Sequence, residues 1–321
     1  MRMNAAVVTT FGSAPRPGEW EVPEASGPDE LVVEVVAAGL HPRVRSQAAG
    51  AHYTSTGALP LVPGIDGVGR DAEGNLRYFV LPDTALGAMA EWTLIDARRS
   101  VVLPGDADPV AIAAAMNPAM SSWVALRRRV PEALPAGGSA LVLGATGNAG
   151  RIAVQVARRL GAARVVGAGR DGARLAALGA AEGVETVALD DGERLGALAG
   201  DVDVVLDYVW GAPTAAAMAA VVTARADRAR PLTWVEIGSV AGPAAEIPSA
   251  ALRAARLSIV GSGQGSVPTR EILAELPALA AEITAGTFSA QARAVPLADV
   301  ERAWAEATAG TADRLVITPG T

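Results

Sequence analysis

The 321-residue chain has no lysine, no cysteine and only two histidines, His41 and His52. All 27 of its basic residues are therefore arginine. Without lysine there is no Schiff-base nucleophile and no P-loop. Without cysteine there is no thiol nucleophile, thiolate metal site or disulfide. Two histidines cannot make a three-histidine zinc site, and no G-x-S-x-G elbow accompanies them for serine hydrolysis. A basic excess is missing too. The 27 arginines face 34 acidic residues, for a net charge of −7 and a pI near 5.0. That balance argues against a nucleic-acid partner. Mean hydropathy is +0.29, carried by alanine and valine in short runs. None of these approaches the ~20 apolar residues that span a bilayer. Met1–Thr10 lacks the apolar core of a signal peptide and reads as a strand. A cytoplasmic chain without a membrane partner is expected.

What is present divides in two. A prior of roughly 150 residues per domain suggests two domains. Up to about Ala107 the chain reads as β: Ala5–Thr9, Leu31–Ala38, Gly64–Asp71, Leu76–Val80 and Glu91–Ile95. Gly and Pro punctuate these runs at Ala14–Pro17, Ser26–Pro28 and Leu59–Gly64. Their partial alternation suits a half-exposed antiparallel barrel. Helices follow at Ala111–Met116 and Ser121–Val130. Strand and helix then alternate from Ala140 to Ile237, with continuous apolar strands such as Val202–Leu206. That is the pattern of a doubly wound parallel sheet, a Rossmann fold. The tail offers a strand at Ser258–Gly261, helices at Thr269–Thr284 and Leu297–Ala307, and a last strand, Arg314–Ile317, suited to returning to the barrel. The expected domains are 111–257 inserted into 1–110 plus 258–321.

The segment Gly144-Ala145-Thr146-Gly147-Asn148-Ala149-Gly150 follows one strand and opens one helix. Gly144 allows the sharp turn, Gly147 allows backbone to approach a pyrophosphate, and Gly150 allows close helix–sheet packing. The phosphates would sit on N–H groups at the helix N-terminus. The next strand ends at Gly169, where an NAD site normally places an acidic residue; Arg170 follows. An arginine there suits the 2′-phosphate of NADPH. Arg174 is a second candidate contact, and Asp171 is an acidic residue displaced by two positions.

On these motifs the chain resembles the medium-chain dehydrogenase/reductase superfamily, in its zinc-independent quinone oxidoreductase branch. Val36–Pro42 is similar to the branch's A-A-G-V-N-P, and Pro60–Gly69 to its P-x-x-P-G-x-[DE]-x-x-G. Met120–Trp123 is similar to L-T-A-[YW], and Gly144–Gly150 to the branch's glycine turn. The resemblance implies that the β domain is a GroES-like barrel. It implies that Ser121, Gly238 and Ser239 lie at the nicotinamide pocket, and that the strand Ser258–Gly261 pairs in a homodimer. His41 stands where the zinc-dependent relatives carry cysteine, and Ile65-Asp66 where they carry His-Glu. No metal is therefore expected. His41 also replaces the branch's asparagine, and Val44 its aspartate.

Hydride transfer asks the protein for a dry pocket and a group to stabilise charge on the acceptor oxygen. Tyr53 stands near where the branch carries a substrate-facing tyrosine, and its phenol is the first candidate. His41, which titrates near neutrality, is the second. Trp123 and Trp210 read as packing residues, and Arg127-Arg128-Arg129 as a helix end favourable to cations. The expected activity is NADPH-dependent reduction of a quinone or enone. Two alternatives are an enoyl-thioester reductase of the same fold and a non-catalytic NADP-binding sensor.

Overall fold

Valine-rich alternation shapes the first part of the chain, as the strand β3 (Glu30–Leu40) shows: it gives Val33, Val35, Ala38 and Leu40 to the core, the phase shifting at the irregularity between Val35 and Ala37. The computed structural model describes residues 1–52, 54–55, 57–311 and 313–320. The elements begin with β1 (Arg2–Val7), β2 (Arg16–Glu21), β3 (Glu30–Leu40) and α1 (Pro42–Ala48). They continue with β4 (Asp66–Arg70), β5 (Leu76–Val80), β6 (Trp92–Asp96), β7 (Ser100–Val102) and α2 (Pro109–Val124). Next come β8 (Ser139–Leu143), α3 (Asn148–Arg159), β9 (Arg164–Gly169), α4 (Gly172–Glu182), β10 (Glu185–Ala188), α5 (Gly192–Ala199) and β11 (Val204–Asp207). Then follow α6 (Gly211–Ala224), β12 (Leu232–Glu236), α7 (Ser249–Ala254) and β13 (Leu257–Gly261). The last are α8 (Thr269–Thr284), β14 (Ala292–Pro296), α9 (Val300–Ala309) and β15 (Arg314–Thr318).

The chain divides into two units, Met1–Asn117 with Leu276–Thr321, and Pro118–Glu275. In the first, β14-β15-β3-β4-β5-β7 form one sheet, with β6 also paired to β3, while β1 and β2 form a two-stranded ribbon. β15 joins β3 antiparallel, so the last strand does return to the N-terminal sheet. The core gathers Val33, Val35, Phe79, Met89, Ile95, Leu315 and Ile317. β2 was not expected, because its Arg-Pro-Gly opening reads as a turn. It pairs with β1 in a ribbon of its own, where a proline costs little.

The second unit holds a six-stranded parallel sheet in the order β10-β9-β8-β11-β12-β13. Ala140 to Leu143 of β8 are fully buried, as a sheet covered on both faces requires. α3 buries Ile152, Ala153, Val154, Val156 and Ala157. α4 starts on the side chain of Asp171 and ends at Gly183, whose φ of 62° is the left-handed cap that glycine supplies.

Two boundaries differ from the sequence reading. Ser258–Gly261, expected with the barrel, is part of β13 and extends the parallel sheet beside β12. Its apolar residues find a partner there through a crossover that carries α7. Ala111–Met116 and Ser121–Val130, expected as two helices, are one: α2 runs through Pro118 and continues as a single π-helical turn, Ala125–Arg129. An 18-residue stretch of this 21-residue run has a mean hydropathy of 1.2, enough by length and composition to cross a membrane. The sequence reading missed it, because Asn117, Pro118 and the two serines interrupt the apolar pattern. It is 67% buried inside the protein, as a core helix is.

The arginines after α2 have a definite partner. Glu275, 2% exposed, accepts from Trp123 Nε1 at 2.7 Å, Arg127 Nε at 2.7 Å and Arg128 Nε at 2.6 Å. Arg129 donates to the Gly261 carbonyl at 2.9 Å. These arginines tie elements together rather than serving the helix end alone.

Candidate cofactor site and buried polar network

The glycine turn forms as its spacing demands. Gly144 leaves β8 at φ 84°, and its N–H and that of Ala145 donate to the Ala168 carbonyl of β9. Gly147 caps α3 with no side-chain bond, so the cap residue itself offers no side-chain acceptor to the first helical N–H groups, Asn148 to Gly150. A Cβ on Gly150 would lie 2.2 Å from the Gly144 carbonyl oxygen. Only glycine permits that approach of helix to turn. A Cβ on Gly169 would lie 2.8 Å from Thr146 Cγ2, so the end of β9 is closed by Thr146.

Arg170 is exposed, one residue past β9. Asp171 is already engaged: its side chain accepts from the Arg174 N–H at 3.0 Å, capping α4, and lies 3.5 Å from Arg174 Nε. One oxygen of this carboxylate thus caps α4 while the other faces the Arg174 guanidinium.

The end of β11 holds what the sequence reading missed. Asp207 is fully buried and accepts from the N–H groups of Val209 and Trp210, from Thr214 Oγ1 and from Trp234 Nε1, at 2.7 to 3.0 Å. It fixes the turn beyond the strand. Tyr208 in that turn donates to Ser121 Oγ at 2.9 Å, since Ser121 gives its own proton to the Pro118 carbonyl at 2.7 Å. Burial pushes the Tyr208 phenol up to about 12. Gly238 abuts the Tyr208 backbone and donates to the Asp207 carbonyl at 3.1 Å. Ser121, Gly238 and the glycine turn are thus joined through Tyr208, because Gly144 also lies against it: a Cβ there would be 3.4 Å from Tyr208 Cβ. Ser239 is exposed one residue on. An aspartate ending an apolar strand is the signal that was available for this clamp.

In the other unit, His41 is 2% exposed. Its Nε2 lies 2.8 Å from Asp66 Oδ1, and Tyr78 donates to the other Asp66 oxygen at 2.9 Å. Burial lowers the affinity of His41 for its proton, against the raising effect of Asp66. Burial also pushes the Tyr78 phenol well up. His41 therefore sits inside the sheet wall, in a network the sequence could not connect. Arg43 joins the loop after α1 to the loop after β5, donating to Thr54 Oγ1 at 2.7 Å and Asp83 at 2.5 Å. His52 Nδ1 lies 2.8 Å from the same Thr54 oxygen. Tyr53 lies outside the described residues.

No protein-family model matches the sequence. A probable NADPH-dependent quinone reductase of Emericella nidulans is 34% identical over 363 residues, covering 99% of this chain and 100% of that protein. The chain belongs to the quinone oxidoreductase branch of the medium-chain dehydrogenase/reductase family. A solved relative is the quinone oxidoreductase of Thermus thermophilus, also solved in complex with NADPH. It is 27% identical with a TM-score of 0.79, over 99% of this chain and 100% of that one. A mycobacterial quinone oxidoreductase shares the fold at 23% identity and a TM-score of 0.82, over 99% and 100% of the two chains. So does a thermostable alcohol dehydrogenase of Pyrobaculum aerophilum, at 23% and 0.81 with the same coverage. In this chain the His41 ring is turned into the Asp66 network.

Proposed function

We propose that the protein is an NADPH-dependent, zinc-independent reductase that delivers a hydride to a small conjugated carbonyl, a quinone or an enone. The observation that carries this is the turn from β8 into α3, where a Cβ on Gly150 would lie 2.2 Å from the Gly144 oxygen. Such a turn is shaped for a pyrophosphate. The kinship with a protein named as an NADPH-dependent quinone reductase supports the same reading. NADPH, when bound, supplies the hydride. The backbone of Gly144–Gly150 would hold its pyrophosphate, Arg170 its 2′-phosphate with Arg174 beside it, and Ser121, Gly238 and Ser239 its nicotinamide side. Guanidinium and phosphate match as charge-assisted pairs.

Tyr53 is proposed to donate its phenol proton as a hydrogen bond to the acceptor oxygen, where charge arrives in the transition state. His41, closed in beside Asp66, is proposed to support the wall from which that loop starts. Zinc independence rests on the residues themselves: cysteine is absent, and His41, at the family's cysteine position, is bonded to Asp66. A cytoplasmic location is proposed with this function. A homodimer is proposed through β13, the outer strand of its sheet, whose Ser258 and Gly261 are exposed.

The test is a steady-state assay of NADPH oxidation against quinones, enones and enoyl thioesters. Turnover with quinones or enones supports the reading, and turnover confined to enoyl thioesters overturns the substrate class. In the same assay Tyr53→Phe should lower kcat and kcat/KM together by about 10- to 1000-fold. A change under about two-fold would remove Tyr53 from the mechanism.

A further inference from the structure

The turn after β11 departs from ordinary backbone geometry. Trp210 has φ 53° and ψ −171°, a region that residues with a Cβ enter only at a steric cost. Among the described residues it is the one non-glycine with positive φ. The conformation is locked from several directions. Asp207 Oδ1 holds the N–H groups of Val209 and Trp210 at 2.8 and 3.0 Å. The Val209 carbonyl accepts from Ala241 N–H at 2.8 Å. Gly211, itself at φ 72°, abuts the Ala241 backbone: a Cβ there would lie 3.2 Å away. Glycine at position 210 would satisfy every one of these constraints without strain, so the backbone gives no reason for an indole. Nor does the core give one. Trp210 is only half-buried and is not among the side chains packed on the cluster of Leu143, Val205, Val209 and Trp234.

Its position does give a reason. β11 lies beside β8, with Asp207 opposite Leu143, so the Trp210 turn and the glycine turn leave the sheet side by side. They touch: a Cβ on Gly144 would lie 3.2 Å from Val209 Cγ2. The strand order reverses between these two strands, with β9 and β10 on one side and β12 and β13 on the other. Doubly wound sheets take dinucleotides at that reversal, one mononucleotide on each half of the sheet. The half that begins at β11 is the one opposite Arg170 and belongs to the nicotinamide nucleotide. We propose that Trp210 is a cofactor contact: its indole walls the nicotinamide-ribose half of NADPH, and the strained backbone persists because it presents that ring at the crevice.

This inference rests on the dinucleotide reading, and calorimetric titration keeps the two apart. The probes are NADPH and adenosine 2′,5′-bisphosphate, which lacks the nicotinamide half. Apo-protein melting is the third measurement. Trp210→Ala removes the ring and keeps the strain; it should weaken NADPH about ten-fold and the bisphosphate less than about two-fold. Trp210→Phe should bind both as the unmodified protein does. Trp210→Gly should bind like Trp210→Ala, yet its apo form should melt higher than that of Trp210→Ala by roughly 2–6 °C, because the strain is gone. Equal NADPH affinity in Trp210→Ala, an equal loss for both probes, or a Trp210→Gly protein that melts below Trp210→Ala would each overturn the proposal. Failure of the unmodified protein to bind either probe would overturn the dinucleotide reading instead.

Discussion

Arg170 stands in solvent at the first position past β9, and its neighbour Asp171 is spent on capping α4. If the guanidinium pairs with the 2′-phosphate, the contact contributes about 1.5–3 kcal/mol. Arg170→Ala should then weaken NADPH about ten-fold or more and leave NADH within two-fold. Equal affinity of the unmodified protein for both nucleotides would defeat this. His41 makes a prediction about pH. Burial holds its folded pKa below the ordinary 6.5, despite Asp66. Below that value the unfolded chain takes up a proton that the folded chain refuses. Stability should fall as the pH drops through 6.5 toward the lower folded pKa. His41→Asn, which keeps a donor for Asp66, should flatten that fall in urea midpoints measured from about pH 7.5 to 5.5. Parallel profiles for the two proteins would show that other groups govern this range.

At the scale of elements, the β8–α3 junction is the most demanding piece of geometry. Gly150→Ala places a methyl 2.2 Å from the Gly144 oxygen, and backbone must move to admit it. The variant should lose about 2 kcal/mol or more of stability and bind NADPH at least about ten-fold more weakly. Thermal melting and titration together check this; a variant that binds normally would remove the turn from the cofactor site. This junction was legible in the sequence because its signal is local: strand, three glycines and helix within one short run. α8 was legible end to end, even across Pro277, because its helical period is local too. β2 was not, since only pairing with β1 makes Arg16–Glu21 a strand. The carboxylates escaped for the same reason. Asp66 draws its partners from β5 and the end of β3, and Asp207 from β12 and α6, so neither site is written in any one segment.

For the whole molecule, two expectations follow from composition and topology. Turnover should survive dialysis against a strong chelator, because a chain without cysteine cannot form the family's zinc site. Activity lost to the chelator and restored by zinc would contradict this. The open edge of β13 should pair with a second copy, giving twice the 32.4 kDa chain mass by light scattering. A single-chain mass at micromolar concentration would leave that edge without its proposed partner. The placement of β13 in the parallel sheet also shows where composition stops informing. An apolar strand at the end of an inserted domain reads alike for either host, and only its neighbour decides.

Glu275 lies at the end of the inserted unit and holds Trp123, Arg127 and Arg128 near its beginning. A stretch of about half the chain thus starts and finishes at one carboxylate. Segments whose ends meet can be spliced into, or out of, a host without stretching either. The nucleotide-binding half of this enzyme is therefore built as a cassette, one that recombination could pass between hosts while its own sheet stays whole.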